Sequence, residues 1–170
     1  MILTGSEIIK EREKGNIIIE PFFMKQINPN SYNYRLGHKL KIFLHFKNGK
    51  SRFKEIVIPK EGFVLRPKQM YLGHTLETIG SKKYAMSLIG RSSMGRLGLF
   101  LQVSANLGHT TSIHQWTLEM VALKPIKIYP GMIIGQISFW KNYGNVSKYS
   151  GKFGKFNDPQ EFLIDKIFIN

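Results

Sequence analysis

A run of arginine, serine and glycine residues lies in the middle of the chain, where residues 90–98 read G-R-S-S-M-G-R-L-G. Its side chains that can hold an anion are Arg91, Ser92, Ser93 and Arg96. Guanidinium groups, hydroxyls and backbone N–H groups left open by glycine are the donors that proteins use to bind phosphates. This run therefore predicts a binding site for a nucleoside triphosphate.

One carboxylate follows further along the chain, at Glu119, between Leu118 and Met120 in the run T-L-E-M-V-A. An unpaired charge is costly to bury, so a glutamate in an apolar strand either faces solvent or has chemistry to perform. A carboxyl group beside a reacting water can accept its proton and return it to a leaving group. From the residues alone, both interpretations of Glu119 stay open.

The overall charge of the chain is strongly positive. Its 170 residues include 25 Lys and Arg against 11 Asp and Glu, a formal net charge of +14. Such an excess favours a polyanionic ligand, and a triphosphate and a nucleic acid are two candidates. The lysines are scattered rather than gathered in one run, which weakens the nucleic-acid interpretation and leaves a lysine-rich solvated surface as the alternative.

Residue types that would define other classes of protein are missing. The chain has no cysteine, so it can form neither a disulfide framework nor a cysteine-based metal site. His109 and His114 are close in sequence, but no third ligand stands at a suitable spacing, and we predict no protein-bound metal. The polar N-terminus does not fit a secretory signal, and no apolar run is long enough to cross a membrane. These features favour a cytoplasmic protein.

The hydrophobic pattern predicts one short helix followed by strands. Thr4 and Glu7 fit a capping box for a helix from about Gly5 to Lys14, and Gly15 is placed to end it. A second, short helical piece is expected at residues 93–96, with Ser92 as its cap.

Short strands separated by turns are expected elsewhere. Residues 39–46 alternate and would place Leu40, Ile42, Leu44 and Phe46 on one face, and Asn48-Gly49 is typical of a hairpin turn. The pattern predicts an all-β fold, an antiparallel barrel or jelly roll. The expected strands span residues 16–23, 32–36, 39–46, 55–58, 63–65, 69–77, 83–89, 100–104, 115–122, 126–129 and 132–140.

The sequence resembles the deoxycytidine triphosphate (dCTP) deaminase family, a branch of the trimeric dUTPase superfamily. The resemblance covers nearly the whole chain and rests on M-I-L-T-G-S-E-I-I-K at the start, I-N-P-N-S-Y-N-Y-R-L-G, the R-S-S-M-G-R-L-G-L run and the later L-E pair. It implies a single dUTPase-like domain over residues 1–170, a distorted barrel with a short N-terminal helix, and a homotrimer with sites between subunits. The implied reaction is hydrolytic deamination of a cytosine nucleoside triphosphate, most simply dCTP to dUTP and ammonia, without zinc.

The same resemblance implies roles for residues near the base. Glu119 would be the acid and base, and Ser92 and Arg96 would line the pyrimidine and position the water. The Ala105 backbone carbonyl would accept from the cytosine amino group, and the backbone of Thr117 would read the other edge of the ring.

The triphosphate would be held by a separate group of residues. Arg91 and Ser93 match positions that contact phosphates, and magnesium would arrive with the triphosphate itself. Residues 141–157 would form a mobile arm in which Lys148, Tyr149 and Lys152 fold over the nucleotide, with a disordered basic tail as the alternative.

The sugar-binding segment departs from the family. His109 stands where the family has an aspartate that binds the 3′-hydroxyl, and Ser112 stands where a bulky ring packs on the sugar. Leu107 replaces a polar residue, and Asn33 replaces an aspartate of the first strand signature. An imidazole can still bind a hydroxyl, but without the ring we expect weaker discrimination between ribose and deoxyribose.

Two other functions stay open from the sequence. A dUTPase or a bifunctional, dUMP-forming enzyme would cleave the α–β phosphate bond, but the aspartate expected to activate its water is replaced by His109. A non-catalytic module that binds nucleotides or nucleic acid fits the basic charge and the altered pocket, whereas the presence of Ser92, Arg96 and Glu119 opposes it.

Overall fold

The computed structural model describes residues 1–47, 50–102, 105–151 and 156–161. The N-terminal helix α1 spans Gly5–Glu13, one residue shorter than predicted. The Glu7 N–H donates to the Thr4 hydroxyl at 3.4 Å, and Gly15 follows the helix with a φ of +71°, in the left-handed region that glycine adopts without strain. The capped helix predicted from these residues is confirmed.

Strands account for most of the remaining elements. A 3₁₀ turn spans Met24–Gln26, and a second helix, α2, spans Ser92–Leu97. In chain order the strands are β1 (Ile17–Glu20), β2 (Ile27–Asn28), β3 (Ser31–Arg35), β4 (Lys39–Lys47), β5 (Lys50–Val57), β6 (Phe63–Leu65), β7 (Met70–His74), β8 (Thr78–Ser81), β9 (Tyr84–Gly90), β10 (Leu99–Leu101), β11 (Leu107–Gly108), β12 (Ile113–His114), β13 (Thr117–Ala122), β14 (Ile126–Ile128) and β15 (Ile133–Lys141).

The strands pair antiparallel in two large and two small sheets. One five-stranded sheet has the order β10-β13-β7-β4-β5, and the other has the order β11-β9-β15-β3-β2. A three-stranded sheet runs β1-β8-β12, and β14 pairs with β6. Within the described ranges the sheets are distorted and do not close into a continuous barrel. The predicted all-β, distorted antiparallel fold with a short N-terminal helix is confirmed.

Strand β13 has one face in the core and one face turned outward. Leu118, Met120 and Ala122 are buried, while Thr117 and Glu119 are only partly covered. This alternation follows from the period of two in a strand, since successive side chains point to opposite sides of the sheet. The core side of β13 fixes the register of the strand, and the other side is free to line a site.

The predicted apolar face of β4 is interrupted by a bulge. The β4–β5 ladder shifts between Phe43 and His45, so that Leu44 is the extra residue and is 53% exposed. Leu40 and Ile42 do face inward, but the expectation that Leu44 joins them is wrong, because the bulge breaks the alternation. The Asn48-Gly49 turn and the Phe46 side chain lie outside the described residues.

Several short elements differ from the sequence prediction. The strands β2, β8, β11 and β12 were not predicted, since these two- to four-residue segments show no periodic pattern of apolar residues. Ser92 is the first residue of α2 rather than its cap, and Arg91 occupies the cap position without a side-chain hydrogen bond. The predicted Ser92 cap is therefore wrong, because the helix begins one residue earlier than expected.

A buried carboxylate ties α1 to β9. Glu11 accepts hydrogen bonds from the Tyr84 hydroxyl at 2.8 Å, Asn16 Nδ2 at 2.9 Å, Lys14 Nζ at 3.0 Å and Lys83 Nζ at 3.2 Å. Its side chain is 3% exposed. The Tyr84 hydrogen bond, with smaller contributions from the other donors, lowers the pKa of Glu11 to about 2 although burial acts in the opposite direction.

Glu11→Gln should lower the free energy of unfolding at pH 7 by about 2–3 kcal/mol, because a neutral amide cannot satisfy all four donors. The folded-state pKa lies below the ordinary value of 4.5, so the contribution is present above pH 4.5 and is lost as the pH falls toward 2. Urea unfolding of both proteins at pH 7 and pH 3 measures it. Glu13→Gln, on the exposed side of α1, is the control, and equal effects of the two changes would contradict this role for Glu11.

Candidate functional site

A cavity of about 640 Å³ lies against the face of the first five-stranded sheet that carries Glu119. Much of its wall is apolar and comes from Phe43, Phe53, Met70 and Leu72. Glu119 and Leu72 are direct partners in the β13–β7 ladder, so their side chains point to the same side of the sheet. The Glu119 side chain therefore belongs to a largely apolar cavity rather than to an open surface.

The described residues provide no partner for the Glu119 carboxylate. The hydrogen bonds of Glu119 within this part of the chain are made by its backbone, and no described cation lies within ion-pair distance of its side chain. Glu77 shows the contrast, since its carboxylate accepts from the Arg35 side chain at 2.7 Å and from the Arg35 N–H at 2.8 Å. Within the part of the chain that the structure describes, the carboxylate of Glu119 is thus available to a ligand group.

Four of the predicted site residues line this cavity together. Glu119 and Thr117 come from β13, His109 comes from the segment before it, and Tyr149 comes from the chain after β15. The fold brings these three parts of the chain to one place. Lys148 lies beside Tyr149 in an adjoining hollow of about 490 Å³, which shares His109 and Tyr149 with the cavity. Lys152 lies outside the described residues.

The arginines and serines of the 90–98 run lie elsewhere. Arg91 and Arg96 flank or belong to α2, as do Ser92 and Ser93, and none of the four lines the cavity that holds Glu119. Ser92, Ser93 and Arg96 are exposed. Within one chain, the predicted base-positioning residues and the predicted acid and base are therefore not brought together.

The segment predicted to bind the sugar contacts the residues that follow β15. The His109 and Tyr149 rings stack with centroids 4.9 Å apart and an interplanar angle of 18°. The Tyr149 N–H donates to the Thr111 hydroxyl at 2.9 Å. Ser112 and Leu107 also line the cavity. The stacked pair thus lines the cavity together with Ser112, which is buried.

Asn33 is a buried residue of β3 and does not belong to the cavity wall. It is 7% exposed on β3, and its side-chain amide donates to Asn28 Oδ1 at 3.3 Å. Its backbone carbonyl accepts from Gln26 Nε2 at 2.6 Å. Asn33 does not line the cavity, so its difference from the family bears on packing rather than on the sugar.

His114 and Trp116 belong to the cavity wall but were not predicted as site residues. Their rings lie 4.2 Å apart, and the Trp116 indole donates to the Ile79 carbonyl at 2.9 Å. Burial lowers the pKa of His114, while backbone hydrogen bonds to Gln115 and Phe156 act in the opposite direction. His114 ends the short strand β12 and Trp116 lies between β12 and β13. Because a histidine and a tryptophan at such positions look like core residues, the sequence carried no signal for this role.

Residues 156–161 contribute Phe156, Gln160 and Glu161 to the lining of the cavity. The Gln160 N–H donates to the Thr117 hydroxyl at 3.0 Å. Asp158 pairs with Lys39 at 2.9 Å, and Glu161 lies 3.8 Å from Lys41 Nζ. These contacts attach the segment to β4 and β13, so the C-terminal part of the described chain forms part of the cavity wall.

Two negative observations concern the described residues alone. In the ranges 1–47, 50–102, 105–151 and 156–161, no cluster of three or more His, Asp or Glu is arranged to hold a metal ion. In the same ranges, no helix has the length and apolar character needed to span a membrane.

Comparison with known proteins gives consistent results. The family model described as dCTP deaminase-like matches residues 2–142. A dCTP deaminase, dUMP-forming, from Clostridium acetobutylicum is 44% identical over 175 residues, covering 100% of both chains. The corresponding proteins of Hathewaya histolytica and Clostridium beijerinckii are each 43% identical, with 99% of both chains covered.

A solved structure has the same fold. The crystal structure of 2′-deoxycytidine 5′-triphosphate deaminase from Agrobacterium tumefaciens matches with a TM-score of 0.67 and 22% identity over 83% of this chain. The match spans 48% of that longer chain, and at this identity it supports the fold alone. The family match over most of the sequence and the full-length relatives at 44% identity carry the conclusion that this chain belongs to the dCTP deaminase-like family and is a hydrolase of that family.

Proposed function

We propose that this protein is a cytoplasmic enzyme that deaminates dCTP by hydrolysis. The observation that carries the proposal is the position of Glu119, a carboxylate without a partner among the described residues, on the wall of a largely apolar cavity. Full-length relatives named as dCTP deaminases support the choice of substrate.

In the proposed reaction, Glu119 accepts a proton from a water that attacks C4 of the cytosine ring. The carboxyl group delivers this proton to N3, then accepts the second proton of the water from the new C4 hydroxyl and delivers it to the amino group, so that ammonia leaves as the C4 carbonyl forms. The products are dUTP and ammonia, which balances one water added and one amino group lost. The Ala105 carbonyl would hold the amino group, and the backbone of Thr117 would face the other edge of the ring.

We further propose that the site is completed by a second copy of the chain in a homotrimer. Ser92 and Arg96 do not line the Glu119 cavity of their own subunit, and both are exposed, as residues that reach into a neighbouring subunit must be. In this arrangement Arg96 positions the water, Ser92 contacts the pyrimidine, and Arg91 and Ser93 bind phosphates across the interface.

The triphosphate would bind as its magnesium complex. Lys148 and Tyr149 lie at the edge of the cavity and would close over it with the rest of residues 141–157. This closing movement and the role of Lys152 stay predictions.

A second candidate activity follows from the names of the relatives. They are called dUMP-forming, which supports a further step in which water cleaves the α–β phosphate bond of dUTP and releases pyrophosphate. Ammonia and pyrophosphate measured separately distinguish the two products, because deamination alone releases only ammonia.

Glu119→Gln should abolish ammonia release from dCTP, with a loss of at least about 100-fold, because the amide keeps the shape of the side chain but cannot transfer protons. Binding of dCTP, measured by calorimetry, should change little. The control is Glu161→Gln, which alters a second carboxylate of the same cavity that pairs with Lys41. Near-normal turnover by Glu119→Gln would remove this residue from the mechanism.

Two inactive variants should restore activity when they are assembled together. Glu119→Gln retains Arg96, and Arg96→Ala retains Glu119, so a mixed trimer contains some sites with both groups intact. Each mixed trimer should have about one intact site in three, because an intact site needs one subunit of each kind in the correct order. The variants carry different tags, are refolded together, and mixed trimers are assayed for ammonia release. If mixed trimers are no more active than either variant alone, the site is not shared.

Discrimination between dCTP and CTP should be weak, within about 10-fold or about 1.4 kcal/mol, because the small Ser112 side chain and His109 stand where the family has a bulky ring and a carboxylate. His109→Asp, alone and together with Ser112→Trp, should increase the preference for dCTP. The measurement is kcat/KM for both nucleotides in the three proteins. Rejection of CTP by about 1000-fold in the natural protein would show that the sugar is read by another route.

A further inference from the structure

Gln102 forms hydrogen bonds with both backbone polar groups of Glu119, its N–H and its carbonyl. The Gln102 N–H donates to the Glu119 carbonyl at 3.2 Å, and Gln102 Oε1 accepts from the Glu119 N–H at 2.8 Å. Both backbone polar groups of Glu119 that face β10 are therefore bound by one residue.

The backbone conformation of Gln102 explains why its side chain is needed. The strand β10 ends at Leu101, and Gln102 has a φ of +51°, in the left-handed region that few residues other than glycine adopt. In a regular antiparallel pair the Glu119 N–H would donate to the backbone carbonyl of the opposite residue. The chain turns away at this point, and the side-chain carbonyl of Gln102 accepts that hydrogen bond instead.

The other end of the same amide reaches the segment that follows. Gln102 Nε2 donates to the Ala105 carbonyl at 3.2 Å. Because one planar amide accepts from Glu119 and donates to Ala105, only one orientation of the group satisfies both contacts. A carbonyl oxygen has two lone pairs, so the Ala105 oxygen can still accept a hydrogen bond from a ligand.

We propose that Gln102 is a positioning residue that sets the Glu119 strand and the Ala105 carbonyl at a fixed distance from each other. Such a link makes the enzyme select cytosine over uracil, since cytosine presents an amino donor at C4 and uracil presents a carbonyl acceptor. A well-placed Ala105 oxygen attracts the amino group of cytosine and repels the C4 carbonyl of uracil. This inference rests on the proposed deaminase function and deepens it by naming what aligns the base-reading group.

Two substitutions separate the contacts. Gln102→Glu keeps the acceptor for the Glu119 N–H but places a second oxygen against the Ala105 carbonyl, which repels it. Gln102→Gly removes both side-chain contacts while accepting the left-handed backbone without strain, so that its effects come from the lost contacts rather than from the backbone conformation. Melting temperatures of all proteins are measured alongside.

The experiment measures the dissociation constants of dCTP and dUTP by calorimetry in proteins that also carry Glu119→Gln, so that dCTP is not consumed. The ratio of the two constants should fall by at least about 10-fold with either change at Gln102, relative to Glu119→Gln alone. In the presence of Glu119, both changes should also lower kcat/KM for ammonia release. A residue with a purely structural role would lower the melting temperature without changing the ratio.

The outcomes distinguish this inference from the function on which it rests. If the natural protein releases ammonia from dCTP and the ratio is unchanged in both Gln102 variants, the positioning role is wrong and the deaminase function stands. If Glu119→Gln alone shows no preference for dCTP over dUTP, the Ala105 carbonyl does not read the base. The positioning role of Gln102 is then wrong in this case too. If the natural protein releases no ammonia from any cytosine nucleotide, both proposals fail.

Discussion

The register of β13 is the constraint on which the site depends. Leu118 and Met120 are fully buried, and their packing leaves Glu119 no position except on the cavity side of the sheet. A slip of one residue would place the carboxylate in the core and two large apolar side chains in the cavity. The ladder with β7 on one side and the contacts of Gln102 on the other hold this register at the point where the chemistry is proposed.

Three carboxylates in this fold, at Glu11, Glu77 and Glu119, differ in how their charge is balanced. Glu11 and Glu77 are buried, and each accepts several hydrogen bonds from neighbouring donors, which offsets the cost of removing the charge from water. Glu119 is only partly covered and has no such donors among the described residues. The first pattern stabilises a structure, whereas the second leaves a carboxylate available for a substrate and a water molecule.

Local signals in the sequence were sufficient for the parts of the fold that depend on neighbouring residues. The cap at Thr4 and the glycine at position 15 define α1 from within its own segment, and the alternation around Glu119 defines β13. The run at residues 90–98 and the later L-E pair identified the family, and the comparisons confirm that identification.

Other features depend on contacts between distant segments, and the sequence could not predict them. The four residues of β8 form a strand because β1 and β12 pair with its two edges, and β12 lies more than thirty residues further along the chain. The bulge at Leu44 and the left-handed Gln102 are set by the partner strands rather than by local pattern. The position of Arg96 outside the cavity that Glu119 lines is likewise a property of the folded chain.

The central claim is that this chain removes the amino group of a cytosine nucleotide at the Glu119 cavity. The most direct measurement is incubation of the natural protein with dCTP, with ammonia, dUTP, dUMP and pyrophosphate followed separately over time. The account predicts one ammonia for each dCTP consumed, with deoxyuridine nucleotides as the products. Tight binding of dCTP without ammonia release, or pyrophosphate release that leaves the cytosine ring unchanged, would contradict it.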